Sequence, residues 1–597
     1  MKERFIYEEC KKEFIPLFDF ESIRFEKIDE GLSIKKHNNT IRVGYSKLSN
    51  VSRSLLILNA YYKDENIDIE ERENFKEVGL MIDCARNGVS SVATICKLIR
   101  IASLCGYNRV MLYLEDVFKI EDEPAFGYLR GRYTREEMKS IDDYAERFGI
   151  EIVPFIQTLA HLKELKKWGQ YADLFDCEDI LLCGDDRVYA LIEKQIKTLS
   201  ECFRGREIHL GMDEAFLTGR GRYMDEHGYR PVSDVFAEHL NKVVEIAEKF
   251  NYKTMIWGDM FLHFSENAAG RKAKIIPTEK IGLVYWDYYS VDKKHYEETL
   301  KKYERFGNEI IFASGLWRFT GFVPNNAYSI KTNDAVMPIL KEHNVERVFT
   351  CAWGDNGAET SVFAVLPSIM YFGLKTRDKT LNDIEKEFYA MTGVLFEDFM
   401  KLDYPDSAFT NEDCKPVTVA KNAFYSDIFS GYLDILFSQK RDVDFKGMAT
   451  ELEKMKKNRK YGYLFDCGSS LCKVLDVKYD LGIEIRKKYK SGDKVGLEES
   501  IEDISETIKR VKDFYIKFER KWKKENKPFG FEVQDIRFGG LIQRLSHCKT
   551  VLRKYVKGEI EAIPELEQKL FDGACMGMKI QDFCINNWGC CTANVLN

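Results

Sequence analysis

Between Val78 and Trp353 the chain alternates short apolar runs with longer amphipathic stretches. The runs are Val78–Cys84, Arg109–Glu115, Ile150–Ile156, Glu207–Asp213, Lys253–Asp259, Ile281–Asp287, Glu309–Gly315 and Arg347–Trp353. Runs of about 5–8 residues, apolar throughout, are the pattern of a parallel strand buried on both faces. Between most of them lie stretches with helical periodicity: Val92–Cys105, Arg135–Phe148, Val188–Phe203, Val232–Phe250 and Asn333–Glu342. Eight such units predict an α/β protein, a (β/α)8 or TIM barrel over residues 77–375. An open doubly wound sheet would carry a glycine-rich phosphate loop after one strand, and there is none.

The flanks read differently. Residues 1–76 predict a small α/β domain, with a strand-like run at Ile41–Tyr45 and an apolar run at Leu55–Tyr62. The charged stretch Lys63–Lys76 reads as a linker or an exposed helix. From about Thr376 the strand pattern stops and Lys, Glu and Leu recur at helical spacing, as in Asp503–Lys524 and Leu541–Val556. Residues 376–597 therefore predict a helical domain, with dimerisation as a homodimer or covering of the barrel cleft as its open roles. The basic cluster Lys517–Lys527 is interleaved with Glu519 and Glu525, which favours a solvated helix end over a nucleic-acid patch.

Charge and composition narrow the function. With 90 Lys+Arg and 97 Asp+Glu among 597 residues the net charge is −7, unsuited to a dedicated nucleic-acid binder. No apolar run of about 18 residues predicts a membrane span. No apolar signal core follows MKERFIYEEC, so a cytoplasmic location is expected. In that setting the sequons at Asn38 and Asn50 carry no meaning, and the 16 scattered cysteines read as reduced thiols. The closest pairs, Cys467/Cys472 and Cys590/Cys591, lack zinc-site spacing, so no metal is expected.

In a barrel the chemistry sits where the strands end. Those ends carry Asp83 with Arg86, Glu115–Asp116, His161, Asp213–Glu214, Trp257 and Asp259, Tyr285 and Asp287, Trp317, and Trp353 with Asp355. Alternation along a strand points Trp257/Asp259, Tyr285/Asp287 and Trp353/Asp355 each one way. Aromatic walls edged by carboxylates suit a sugar, whose C–H faces stack on indole and whose hydroxyls bond to carboxylates. The sharpest motif is His209-Leu210-Gly211-Met212-Asp213-Glu214. Its plain reading is a strand followed by a helix N-cap. Its functional reading is acid–base work, because repulsion between adjacent carboxylates raises one pKa. Sequence neighbours do not easily straddle a sugar ring, so the usual opposed pair of glycosidase carboxylates does not fit.

This stretch resembles the H-x-G-x-D-E signature of family 20 glycoside hydrolases, the β-N-acetylhexosaminidases. Met81–Asn87 is similar to that family's first-strand D-x-x-R motif, and Leu114–Asp116, His161, Trp257, Tyr285-x-Asp287, Trp317 and Trp353-x-Asp355 fall in the order of its pocket residues. The resemblance covers about Val78 to Leu374, and the three-part layout resembles intracellular bacterial members. It implies an exo-acting hydrolase of terminal β-linked N-acetylhexosamine that uses the substrate's own 2-acetamido oxygen as nucleophile, retains the β configuration and needs no cofactor. The alternatives are a related barrel hydrolase for a disaccharide or sulfated N-acetylhexosamine unit, or a non-catalytic sugar-binding barrel, against which the retention of Asp213, Glu214 and Tyr285 argues. Glu214 would be the acid and base, Asp213 would accept the acetamido N–H, and Tyr285 would donate to the acetamido oxygen. Trp257, Trp317 and Trp353 would enclose the sugar, Asp355 and Arg86 would hold hydroxyls, and His161 with Asp116 or Glu115 would form a supporting relay. Asp287 joins the expected substrate-binding set.

Three positions depart from the family pattern. Val78 stands where many relatives place a sugar-gripping arginine, Asp355 where glutamate is commoner, and Met212 where glycine is frequent. His209 reads as a buried barrel residue beneath the site. The loop Phe126–Tyr133 either shapes the leaving-group side or presents surface arginines.

Overall fold

A computed structural model describes residues 2–37, 40–266, 277–278, 280–407 and 418–570. Asn38 and the Cys590/Cys591 pair lie outside them. All eight expected strands are present: Glu77–Asp83, Arg109–Tyr113, Glu151–Phe155, Glu207–His209, Lys253–Trp257, Ile281–Trp286, Ile310–Gly315 and Arg347–Ala352. Each pairs in parallel with its sequence neighbour, and the last closes on the first through Val348↔Val78 to Ala352↔Ile82. Alternation splits every strand between two cores. Met81, Tyr113, Phe155, Met255, Trp257, Val284, Phe349 and Cys351 fill the barrel interior. Leu80, Ile82, Leu112, Ile152, Ile256, Leu283 and Phe312 face the helices. Both faces are therefore apolar, as in other helix-covered parallel sheets.

The N-terminal mouth of the barrel is closed by charge. Arg347 bonds Glu77 at 2.7 Å and Glu207 at 2.5 Å, and Arg109 bonds Glu77 at 3.0 Å. The opposite mouth is left for the site. The helix Arg135–Glu146 starts in a reciprocal capping box between Thr134 and Glu137, which satisfies two otherwise orphaned backbone donors. The sixth crossover helix, Lys293–Glu304, was not among the sequence expectations. Only Tyr296, Leu300 and Tyr303 of it are buried, so its apolar stripe is narrow.

The N-terminal unit is a four-stranded sheet in the order Ile23–Lys27, Thr40–Tyr45, Leu32–His37, Asn66–Glu71, backed by helix Ser49–Tyr61. The charged stretch Lys63–Lys76 is thus neither linker nor helix, since it contains the strand Asn66–Glu71. Its Ile67 and Ile69 alternate with charge, and the buried Glu71 is paired with Arg53 at 2.8 Å. Arg53 also pairs with Glu387, so helix Ser49–Tyr61 is tied to helix Leu381–Thr392 through a dry ion cluster.

Beyond residue 380 the described chain is helical, with a core of its own that contains Phe424, Phe514, Phe518, Trp522 and Phe538. The end of helix Lys494–Glu525 is only partly solvated: Arg520, Lys523 and Lys524 are exposed, but Lys521, Trp522 and Glu525 are buried. The Glu525 carbonyl accepts from Ser91 N–H and Thr94 Oγ1, so this end docks on the barrel. Among the described residues no helix is long and apolar enough to cross a membrane, and the described cysteines are free thiols.

Candidate active site

The fourth strand stops at His209 and the chain turns sharply into the site. Gly211, Met212 and Glu214 all have left-handed backbones (φ 75°, 71° and 53°). A Cβ at Gly211 would fall 2.1 Å from Gln157 Oε1, so glycine is required there. Left-handed non-glycine residues also occur at Glu115, His161, Thr320 and Asn356, each just past a strand end. Such strain persists only where the surroundings enforce it, and it gathers at functional sites.

The turn is enforced by Gln157, which the sequence analysis did not single out. Its side-chain oxygen accepts Met212 N–H at 3.1 Å, and its amide donates to Asp213 Oδ1 at 2.8 Å. Beneath lies His209, fully buried and stacked on Phe155 at 4.3 Å, with Nδ1 accepting Gly211 N–H at 3.0 Å. Burial pushes its pKa down to about 3, so it is a neutral support under the site.

The adjacent carboxylates have opposite environments. Burial alone would raise Asp213, but the His161 charge 3.3 Å away, with the bonds from His161 and Gln157, outweighs it and holds the pKa at about 2. For His161 burial lowers the pKa, but the Asp213 charge raises it by more, and the result is about 9. Glu214 is raised, first by burial and then by repulsion from Asp213. Glu214 is also half-exposed, and its backbone N–H is held by Asp259 Oδ2 at 3.0 Å. Asp259, itself pushed up to about 7 by burial and then by Asp213, accepts the Trp286 indole N–H at 3.3 Å. Separated pKa values on two neighbouring acids are the arrangement that assigns one as proton donor and one as permanent anion.

These groups open into a cleft of about 730 Å³ lined by Arg86, His161, Asp213, Glu214, Trp257, Trp286, Tyr288, Tyr289, Phe319, Trp353 and Asp355, among others. Arg86 bonds Asp355 and, at 3.0 Å, Glu115. Tyr113 continues the chain: its hydroxyl donates to Glu115 at 3.0 Å and receives the Gln157 amide at 3.1 Å. One polar network thus runs from Asp213 to Asp355.

Four expected residues stand elsewhere. Tyr285 pairs in register with Phe312 and stacks on Tyr303 at 5.0 Å, facing the helices. Asp287 shares that side, bonding Tyr285 at 3.2 Å and His295 at 2.6 Å. The inward face of the sixth strand belongs to Val284, paired with Trp257, and so to Trp286. Asp116 is buried against Arg130 at 2.9 Å, and it is its neighbour Glu115 that meets Arg86. Arg130 is accordingly a buried bridge in the loop after the second strand. Trp317 lies behind Phe319, stacked at 4.3 Å, with its indole donating to Tyr288 O. Val78 belongs to the helix-facing set. His161, Asp213 and Glu214 also offer ligand atoms within 4.8 Å of one another, although all three already interact among themselves.

Residues 75–319 match the model of the glycosyl hydrolase family 20 catalytic domain, and residues 397–575 that of the Glycoside Hydrolase 20C C-terminal domain. The first seven strands of the barrel thus match a family 20 glycoside hydrolase catalytic domain. Human hexosaminidase D is 24% identical over 243 residues, 38% of this chain and 48% of that protein. The cattle hexosaminidase D is 24% identical over 238 residues, 38% of this chain and 68% of that protein. The chain thus spans about half the length of the human relative it matches. Among solved structures, the family 20 exo-β-N-acetylglucosaminidase of Vibrio harveyi superposes with a TM-score of 0.50 at 14% identity, covering 64% of this chain and 69% of that one. Flavobacterium johnsoniae chitobiase superposes with a TM-score of 0.50 at 12% identity, covering 92% and 85%. Both are likenesses of fold.

Proposed function

We propose that the protein is an exo-acting β-N-acetylhexosaminidase that removes terminal β-linked N-acetylhexosamine with retention, through an oxazolinium intermediate. The observation that carries this reading is the opposed state of Asp213 and Glu214 on a floor walled by Trp257, Trp286 and Trp353. Glu214, raised and half-exposed, gives its proton to the glycosidic oxygen as the C1–O bond breaks. The acetamido oxygen closes on C1. Asp213, kept ionised, accepts the acetamido N–H and balances the positive ring. Water, losing its proton to the Glu214 carboxylate, then adds to C1 from the face the leaving group vacated. Two inversions give net retention, the substrate-assisted exception to the two-carboxylate scheme.

With Tyr285 turned to the helices, the donor to the acetamido oxygen is assigned to Tyr289, a half-exposed tyrosine that lines the cleft. Arg86 and Asp355 are the groups for ring hydroxyls, and they supply the grip that Val78 cannot. The substrate is a small N-acetylhexosamine-terminated oligosaccharide. The test is release of nitrophenol from the 4-nitrophenyl β-glycosides of N-acetylglucosamine and N-acetylgalactosamine, for wild type and Glu214→Gln, with a thiazoline mimic of the intermediate as inhibitor. Turnover abolished by the substitution and blocked by the thiazoline is expected. Absence of both turnover and thiazoline binding would overturn the reading.

A further inference from the structure

The helical domain closes over one side of the site mouth. Phe322, in the loop after the seventh strand, inserts among Phe424, Tyr425, Phe514, Phe518 and Phe538. Just before it in the chain, Phe319 lines the cleft. The turn after the eighth strand is moored from the same side. Arg537, on helix Phe531–Val556, donates to the Asn356 carbonyl at 2.9 Å, to Asn356 Oδ1 at 3.1 Å and to Glu359 Oε1 at 2.7 Å. Gln534, on the same face, donates to the Gly357 carbonyl at 3.3 Å.

The turn it grips is not one a free chain would hold. Asn356, Gly357 and Ala358 are all left-handed, at φ 59°, 111° and 52°. A Cβ on Gly357 would lie 2.7 Å from Arg537 Nη1, so the guanidinium is packed directly against the backbone. Lys421, also from the helical domain, bonds Glu359 at 2.7 Å, and Lys521 donates to the Glu359 carbonyl. This turn carries Asp355, the partner of Arg86. Among the described residues lining the cleft, Arg537 alone comes from the helical domain.

We propose that Arg537 is a positioning residue: it holds the turn at residues 355–358 so that Asp355 meets Arg86, and through that pair sets how tightly and in which epimeric form the sugar ring is bound. The helical domain is then a working wall of the glycone site. The proposal rests on the hexosaminidase reading above. It predicts a split between binding and chemistry, because the Asp213–Glu214 pair is held from the opposite side by Gln157, His161 and Asp259.

The test compares Arg537→Ala, Arg537→Lys, Asp355→Asn and the double variant Arg537→Ala/Asp355→Asn on both nitrophenyl epimers. Arg537→Ala is expected to raise KM about tenfold, a ~1.4 kcal/mol loss, with kcat within about threefold, and to change the epimer ratio. Arg537→Lys should fall between it and wild type. The double variant should be no worse than the worse single one, and added guanidinium should lower the KM of Arg537→Ala. Hydrogen exchange of the amides at 354–358 should quicken in Arg537→Ala. Should that variant not fold, Arg537→Lys and Gln534→Ala carry the comparison. Unchanged KM and epimer ratio, additive effects or no response to guanidinium would each overturn the proposal. If the wild type turns over neither sugar, the function reading fails instead. The exchange rates still decide positioning, and unchanged exchange would overturn it.

Discussion

His161 and Asp213 face each other across 3.3 Å, and each keeps the other charged. Their pair has a defined pH window. The depressed pKa of Asp213 stabilises the fold above its ordinary carboxylate value, and that contribution is lost as pH falls toward about 2. The raised pKa of His161 contributes fully below the ordinary histidine value and is lost as pH rises through about 9. The stability difference between wild type and His161→Asn should therefore be largest between roughly pH 4 and 6.5 and shrink on both sides. Thermal melts of the two proteins across pH check this, and a difference that grows above pH 9 would contradict it.

Gln157 links Asp213 to the backbone that presents it. Gln157→Leu removes a bond to a charged acceptor, a loss of about 1.5–3 kcal/mol. It should lower kcat by roughly tenfold to a hundredfold, and activity should depend more steeply on acid pH as Asp213 titrates more easily. Steady-state kinetics from pH 4 to 8 would show it.

Tyr285 and Tyr289 leave the sixth strand on different sides. Tyr289→Phe should lower kcat by about 10²-fold if its hydroxyl stabilises charge developing on the acetamido oxygen. Tyr285→Phe should change kcat less than about twofold, at a stability cost of about 1 kcal/mol for the lost hydrogen bond to Asp287. The reverse order would return the role to Tyr285.

Arg53 is fully buried between Glu71 and Glu387. Removing it leaves carboxylates in a dry interior, where breaking one partner of a buried pair costs about 3–5 kcal/mol. Arg53→Met should lower the urea midpoint accordingly, and Arg53→Met/Glu387→Leu should recover much of the loss, since Glu387 is then gone and Glu71 keeps Lys379 at 2.8 Å. Kinetic constants of the folded variants should stay near wild type, because the cluster lies outside the cleft-lining set.

The barrel was legible because its strands are apolar on both faces, a local pattern that neither loops nor exposed helices share. Residues whose chemistry depends on the strand end alone were legible too: Arg86, His161, Asp213, Glu214, Trp257, Trp353 and Asp355 all reach the cleft. What the linear pattern could not decide was facing. A one-residue offset in the sixth strand puts Trp286 in the cleft and Tyr285 against Tyr303, and that offset is set by the register that pairs Val284 with Trp257 on the adjacent fifth strand. Likewise Glu115 rather than Asp116 meets Arg86, because a left-handed backbone at Glu115 turns the chain between them. Gln157 carried no signal, since a lone glutamine after a strand is ordinary until the fourth strand brings Asp213 beside it. The strand Asn66–Glu71 hid within charged residues, one of whose acids, Glu71, is paid for by Arg53 on a helix. Arg537 was beyond any local reading. Sequence alone determined which residues could fold into strands and which chemistry waited at their ends. Tertiary structure decided which side chains share the cleft, because register and docking join residues far apart in the chain.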